Sequence, residues 1–388
     1  MAHQTRRCAA VLAAALLAAV AACGGAADRE GTAQAPARPP GAAPEAPGAG
    51  FTLVATGDIL VHDSVIRQAR ADAGGQGYDF RRMLAGARPA IAGADLAICH
   101  METVYGPEGG PFSGYPMFVT PPDVARAIKD TGYDSCSTAS NHTLDAGPEG
   151  VTRTLDALDA AGVRHAGSAR SAAERAAPTL LEAGGAGVAQ LAYTYDTNGI
   201  PVPADRPWLV NLIDAEQIIA DARAARRAGA DVVVVSMHWG TEWQEGPDAR
   251  QLALAEELTA AEHAGRRDID LIIGTHVHVP QAYEKVNGTW VVYGMGDQLA
   301  GRMNDPRGQM GSAARFTFEP PAAEDAPWTV SKAEVVPHLV DNDPITLVNL
   351  PRALADQPER ADYDAALTLI ADAAFSRGAA EDGLALGD

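Results

Sequence analysis

The sequence predicts an α/β domain, and three observations lead there. From residue 51 onward, short apolar runs that suit strands alternate with amphipathic runs that suit helices. Five of the apolar runs stop abruptly at polar residues able to hold a metal ion. No long polar linker divides the remainder, so it reads as one domain over 51–345, followed by a C-terminal helix and tail over 346–388.

The first apolar run, from Phe51, ends at Gly57-Asp58. The second, from Asp95, ends at His100-Met101-Glu102-Thr103. The third starts near Tyr133 and leads to Asn141-His142, with Asp145 and Gly147 behind them. The fourth is the valine run from Asp231 to His238-Trp239-Gly240, and the fifth runs from Asp270 to Gly274-Thr275-His276-Val277-His278. Helical patterns at 122–131 and 151–161 supply crossovers, so the sheet is mostly parallel. In such a sheet the ends of all these strands share one edge, where α/β folds place their ligands. The clearest helical stripe of the C-terminal segment is 363–374.

Imidazole, carboxylate and amide oxygen together suit Mn, Fe, Zn or Ni; a thiolate-rich structural zinc site is a different donor set. A lone histidine is more often a hydrogen-bonded core residue than a ligand. Six of the ten histidines fall in or beside these motifs, which favours a metal centre. On an extended chain His276 and His278 would point to opposite faces, so the backbone must turn there for both to reach one site.

The N-terminus reads as an address. Arg6 and Arg7 precede an apolar run over 8–20, too short to span a bilayer but suited to a signal-peptide core. Val20-Ala21-Ala22-Cys23 resembles a lipobox, so 1–23 is assigned as a lipoprotein signal with lipid on Cys23; an ordinary signal cleaved after Ala-x-Ala is the plainer alternative. Either places the mature chain outside the cytoplasm. Residues 24–50 are nearly all Ala, Gly and Pro and form a tether, up to roughly 80 Å long if extended. The expected location is the outer face of the bacterial cell membrane.

With 50 Asp and Glu against 30 Lys and Arg, the net charge is −20. Nucleic-acid binding rests on neutralising phosphates with cations, so that class of partner is excluded. A polyanionic substrate would need a local cationic site or a bound metal. Of the four cysteines, Cys99 and Cys136 fall outside the signal, late in neighbouring strands. They are either a disulfide, as the compartment permits, or two buried thiols, because a bridge across adjacent parallel strands demands unusual geometry.

Gly57-Asp58, Glu102-Thr103, Asn141-His142 with Asp145 and Gly147, His238-Trp-Gly-Thr-Glu242 and Gly274-Thr-His276-Val-His278 resemble, in order, the signature blocks of the CapA family of capsule and poly-γ-glutamate biosynthesis. That family is similar to the calcineurin-like metallophosphoesterases. The stretch from Val286 to Asp297 resembles its strand-turn-strand block, and the likeness covers roughly 51–301.

The resemblance implies a four-layer α/β/β/α sandwich with a two-metal site between the sheet edges. It implies Asp58 and His278 on the first ion, Glu102 bridging, and Asn141, His238 and His276 on the second. His142 would be the acid or electrostatic stabiliser, oriented by Asp145 or Glu242. In place of the usual Asp-x-His, Asp58 is followed by Ile59 and Leu60; His62 or His100 could complete the first site. His100 and Asp297 stand where relatives commonly have Asn. Two divalent ions would lower the pKa of a water and clamp an anionic group.

The implied activity is metal-dependent hydrolysis of a phosphoester or an anionic cell-surface polymer. A non-catalytic accessory that binds the nascent polymer or its synthase is the alternative. The loop over 106–122, with Phe112, Tyr115 and Phe118, either covers the site or packs as an ordinary surface loop. Trp239 and Trp243 either wall the site or fill the core.

Overall fold

The computed structural model describes residues 50–323 and 326–388. The signal peptide, Cys23 and all of the tether but Gly50 lie outside them. Strands in chain order are β1 (Phe51–Ile59), β2 (Leu96–Met101), β3 (Ser135–Ser137), β4 (Arg164–Ala166), β5 (Thr179–Ala183), β6 (Ala186–Thr194) and β7 (Val232–His238). A small hairpin, β8 (Glu262–His263) and β9 (Arg266–Arg267), precedes β10 (Leu271–Thr275), β11 (Tyr283–Val286), β12 (Thr289–Val292) and β13 (Asp297–Leu299). The last four are β14 (Met310–Glu319), β15 (Thr329–Asn342), β16 (Ile345–Asn349) and β17 (Leu384–Leu386).

The strands form two main sheets, as the α/β/β/α sandwich implied by the resemblance requires. One runs β16-β15-β14-β1-β2-β3-β4, with β13 beside β1 and β17 beside β15; the other runs β11-β12-β10-β7-β6-β5. Within them β1 to β4 are parallel, as are β6, β7, β10 and β12. Parallel strands covered on both faces read as continuous apolar runs, which is why β7 and β10 show no alternation and are buried throughout.

Three apolar cores stack these sheets between helices. Leu53, Ile98 and Phe316 of the first sheet meet Val234, Ile273 and Trp290 of the second. On the first sheet's other face Val54, Cys99 and Met101 pack on Val65, Ile128 and Leu158 from helices Asp63–Asp72, Asp123–Thr131 and Gly147–Ala161. On the second sheet's other face Val233, Val235 and Ile272 pack on Ile218, Ala222 and Leu258 from helices Ala215–Arg227 and Ala249–Thr259. The layers are therefore α/β/β/α. Among the described residues no helix is long and apolar enough to cross a membrane.

Local chemistry explains the element ends. Helix Ala249–Thr259 starts at a capping box made by Asp248 and Gln251. Helix Gly147–Ala161 stops at Gly162, which takes the left-handed conformation. β11 and β12 form a two-residue hairpin in which Asn287 and Gly288 both have positive φ, the turn that matches strand twist.

The segment after residue 345 is more than a helix and tail. Helices Leu350–Asp356 and Ala361–Phe375 lead into β17, which pairs in parallel with β15, and Ala374, Ala379 and Leu384 enter the inter-sheet core. A run of three strand residues beside a chain end carries too little periodicity to be read from sequence.

Cys99 and Cys136 are directly opposite each other on β2 and β3 and are bonded. The bridge spans a sequence separation of 37 residues. Closing a loop of that length stabilises by about 4 kcal/mol on chain-entropy grounds, and less where the unfolded chain keeps structure. Unfolding in urea with and without a reductant should give a reduced protein less stable by about 2–4 kcal/mol; equal midpoints would contradict this.

Candidate metal centre

The site forms where the C-terminal ends of β1, β2 and β3 of the first sheet meet those of β6, β7 and β10 of the second, joined by the first residue of β13. Strand register does much of the positioning: Asp58 on β1 lies opposite His100 on β2 and Asp297 on β13. His238, the last residue of β7, lies opposite Thr275 on β10 and Thr194 on β6. Backbones approach closely here, and glycine permits it. A Cβ on Gly57 would fall 1.8 Å from the carbonyl oxygen of Gly296, and one on Gly274 would fall 2.1 Å from that of Tyr293.

Beyond β10 the chain turns as His-x-His requires. His276 has φ 92° and His278 φ 58°. These left-handed values are costly for side-chain-bearing residues and collect at functional sites. Both imidazoles thereby enter one group with Glu102, while His278 also joins Asp58 and Asp297. His278 Nδ1 lies 2.8 Å from Asp297 Oδ1 and 3.5 Å from Asp58 Oδ2. Its Nε2 lies 3.8 Å from Glu102 Oε1, as does Nε2 of His238.

His238 also belongs with Asp58 and His100, and its Nε2 stands 2.9 Å from Asn141 Oδ1. Asp58, Glu102, Asn141, His238, His276 and His278 are thus all brought together. The grouping differs from the implied one in that His238 reaches Asp58 as well as Glu102, and His100 and Asp297 join the set. His62 joins none of the groups. It stands at the N-terminus of helix Asp63–Asp72 without a side-chain capping bond, and its ring packs edge-on against Phe118 at 5.0 Å.

The donors fit divalent cations. Glu102 Oε1 and Oε2, His100 Nε2, His276 Nδ1 and Asp297 Oδ2 are all buried without a protein partner. Each such orphan costs about 1–3 kcal/mol, a penalty that coordination removes. Burial drives His238 well below its ordinary range, His100 to about 4 and His276 to about 3. All three rings are therefore neutral at pH 7, with lone pairs available to metal.

Burial also pushes Glu102 well above the usual carboxylate range and Asp297 to about 7. Burial opposes charge on Asp58 too, but the His278 hydrogen bond, the positive charge that His100 carries in acid, the His278 charge and the His276 backbone N–H hold it below its usual value. On His278 burial is outweighed by the Asp297 and Glu102 carboxylates, which raise it well above the ordinary range. Three buried carboxylates in so small a volume are relieved by positive charge, and cations supply it.

Beside the ligands stands a separate pair. His142 Nδ1 is 2.7 Å from Asp145 Oδ2, which also accepts the Phe118 backbone N–H at 2.7 Å. Phe118 is buried, and its ring meets the His142 ring edge-on at 4.6 Å. The loop over 106–122 therefore fixes His142 through Phe118, while Tyr115 is 74% exposed and Phe112 packs on Tyr78. Glu242 does not orient His142. It is exposed and makes no hydrogen bond to that ring, although its negative charge reaches Glu102 and Asp297. Gly240, with φ 96°, turns the chain between His238 and Glu242.

The two tryptophans divide. Trp239 is core, donating its indole N–H to the Tyr293 carbonyl, whereas Trp243 lies 5.8 Å from the His278 ring. The loop after β6 was not legible as part of the site. Tyr195 packs at 4.4 Å on His276 with the rings tilted by 36°, and Asn198 accepts a hydrogen bond from the Asn141 amide at 3.2 Å. The signal was present, because β6 is a sixth apolar run ending in polar residues, Tyr195-Asp196-Thr197-Asn198. It carries no histidine, and its one carboxylate, Asp196, accepts the neighbouring Thr197 backbone N–H, so it resembles an ordinary loop.

Residues 52–302 match the family described as bacterial capsule synthesis protein PGA_cap. The chain belongs to that family. A probable polyglutamine synthesis accessory protein of Mycobacterium tuberculosis is 28% identical over 215 residues, 52% of this chain and 55% of the relative. The capsule biosynthesis protein CapA of Bacillus anthracis is 26% identical over 45% of this chain and 42% of its own length. The chain spans about half the length of the curated relatives it matches. Among solved structures, a putative 5′-nucleotidase from Staphylococcus aureus is 16% identical with a TM-score of 0.46, covering 79% of this chain and 58% of that one. The calcineurin-like phosphoesterase YfkN from Bacillus subtilis is 16% identical with a TM-score of 0.44, covering 82% and 98%. At these scores the metal centre of this family member rests on its own geometry.

Proposed function

We propose that this family member is a lipid-anchored, extracytoplasmic, metal-dependent hydrolase of cell-envelope polymer metabolism. Its substrate would be a phosphoester or an anionic surface polymer such as poly-γ-glutamate. The observation that carries the reading is the His142–Asp145 pair held beside a buried donor set, because binding alone needs no such pair. Asp58, Glu102, His278 and Asp297 would hold one ion, and Asn141, His238 and His276 a second, with His100 beside Asp58. Divalent ions there supply Lewis acidity and a water of lowered pKa.

The protein's own contribution follows from its geometry. Asp145 engages Nδ1 of His142 and fixes the ring, leaving Nε2 as the atom that gives a proton to the leaving oxygen or nitrogen. The hydrogen bond from the Phe118 backbone keeps Asp145 from rotating. Tyr195 and Trp243, packed on His276 and His278, narrow the approach to the donors.

A second reading has two supports. The mycobacterial relative is described as an accessory protein, and Leu60 stands where a metallophosphoesterase carries histidine. In that reading the chain binds the nascent polymer or its synthase without turnover. The purified protein, loaded in turn with Mn, Fe, Zn or Ni, separates the two. Shortening of poly-γ-glutamate, or release of phosphate from phosphoesters, should appear with at least one metal and vanish in chelator. Polymer binding with no turnover under any loading would sink the hydrolase reading and leave the accessory role.

A further inference from the structure

The chain as a whole repels polyanions, yet five of its 30 Lys and Arg residues converge on one cavity of about 140 Å³. Arg223, Arg226 and Arg227 come from the last turns of helix Ala215–Arg227, and Arg266 and Arg267 from the β8–β9 hairpin. His263 and one acid, Asp268, complete the lining. The cavity lies beside the residues that lead into β7 and β10, at the opposite strand ends from His238 and Thr275. That separates it from the metal centre by the seven residues of β7, roughly 20 Å at about 3.3 Å per residue.

Two of these arginines have evident structural partners. Arg223 pairs with Asp268, and Arg226 pairs with Asp270 and donates to the carbonyls of Asp231 and Arg267. The other three differ. Among the described residues, Arg227, Arg266 and Arg267 form no ion pair; Arg266 donates to the Asp231 carbonyl and Arg267 to that of Gly288. The Nε atoms of Arg226 and Arg266 are buried with no acceptor at all. Guanidinium carries five N–H donors, so most of those on Arg266 and Arg267 are uncommitted. Partly buried cations with unfilled donors are costly, and an anion repays that cost.

We propose that this five-arginine cavity is a docking site for a polyanionic chain, binding carboxylate or phosphate groups through the guanidinium forks. The cavity holds one anionic group, and the exposed Arg227 at its side takes another from the same chain. A flexible polymer meets the basic patch locally, whereas an anionic bilayer would have to face the broad surface of a chain of net charge −20. The site is independent of turnover at the metal centre.

Binding of fluorescently labelled poly-γ-glutamate and of polyphosphate to the full chain, in chelator and at low salt, tests this without involving metal or hydrolysis. At least one polymer should bind, weaken as salt is raised, and lose about tenfold in affinity in Arg227→Glu. Arg227 gives up no hydrogen bond among the described residues, so that variant keeps its fold; Arg267→Gln, checked by its melting temperature, is the second. Which polymer binds identifies the anionic group. Equal affinities for wild type and Arg227→Glu, or binding to anionic phospholipid vesicles alone, would overturn the proposal.

Discussion

Glu102→Gln should weaken metal binding at least about 100-fold and, in the same molecule, stabilise the metal-free fold by about 1–3 kcal/mol. The two effects have one cause. The Glu102 carboxylate is buried between the sheets with neither oxygen hydrogen-bonded. Burial penalises its charged form, which is why its pKa is raised well above the usual range. A neutral amide of the same shape removes that penalty but supplies a poorer ligand. Replacing a residue that only positions a ligand commonly costs 10–100-fold in affinity, so altering a ligand itself costs at least the upper figure. Urea unfolding in chelator reads the stability, and metal titration reads the affinity. A destabilised metal-free variant would mean that Glu102 is satisfied by protein, contrary to its geometry.

His142→Ala should lower kcat by about 10²–10⁴ while leaving the bound metal in place. His142 is buried beside Phe118 and bonded to Asp145, and it joins none of the ligand groups. Its loss therefore removes the proposed proton donor without emptying the donor set. Asp145→Asn should fall in the same direction by a smaller factor, since the ring remains but its tautomer and orientation are no longer enforced. Glu242→Gln should change little, because that side chain is exposed and does not touch His142. Steady-state kinetics with metal content measured on the same samples separates these cases. An unaffected kcat in His142→Ala would remove the observation on which catalysis rests.

How much of this was legible in sequence depends on the residue. His238 and His276 announce themselves because each follows a run of aliphatic residues, and a polar stop after a buried strand marks a sheet edge. Asn141 and His142 were readable from the family resemblance instead, since the stretch over 133–140 is mostly small and polar and β3 is only three residues long. The division into two sheets was not readable from periodicity, since β1 and β7 carry equally apolar patterns and belong to different layers. That feature came from the family resemblance.

Asp297 was harder. It looks like a turn residue after Gly296, and only the register of β13 against β1 brings it level with Asp58. Glu242 came in with the family resemblance, and the turn at Gly240 that precedes it is invisible in sequence until φ is known. Tyr195 and Asn198 reach the site through packing on His276 and Asn141, which no spacing rule encodes.

Asp58, Glu102, Asn141, His238, His276, His278 and Asp297 together form the candidate metal centre. Elemental analysis of the purified protein, beside Asn141→Ala and His276→Ala, tests it most directly. About two equivalents of divalent transition metal per chain in the wild type, largely lost in both variants, is the expected result. Metal-free protein after loading with each of Mn, Fe, Zn and Ni would contradict it and leave the buried donors without a physical explanation.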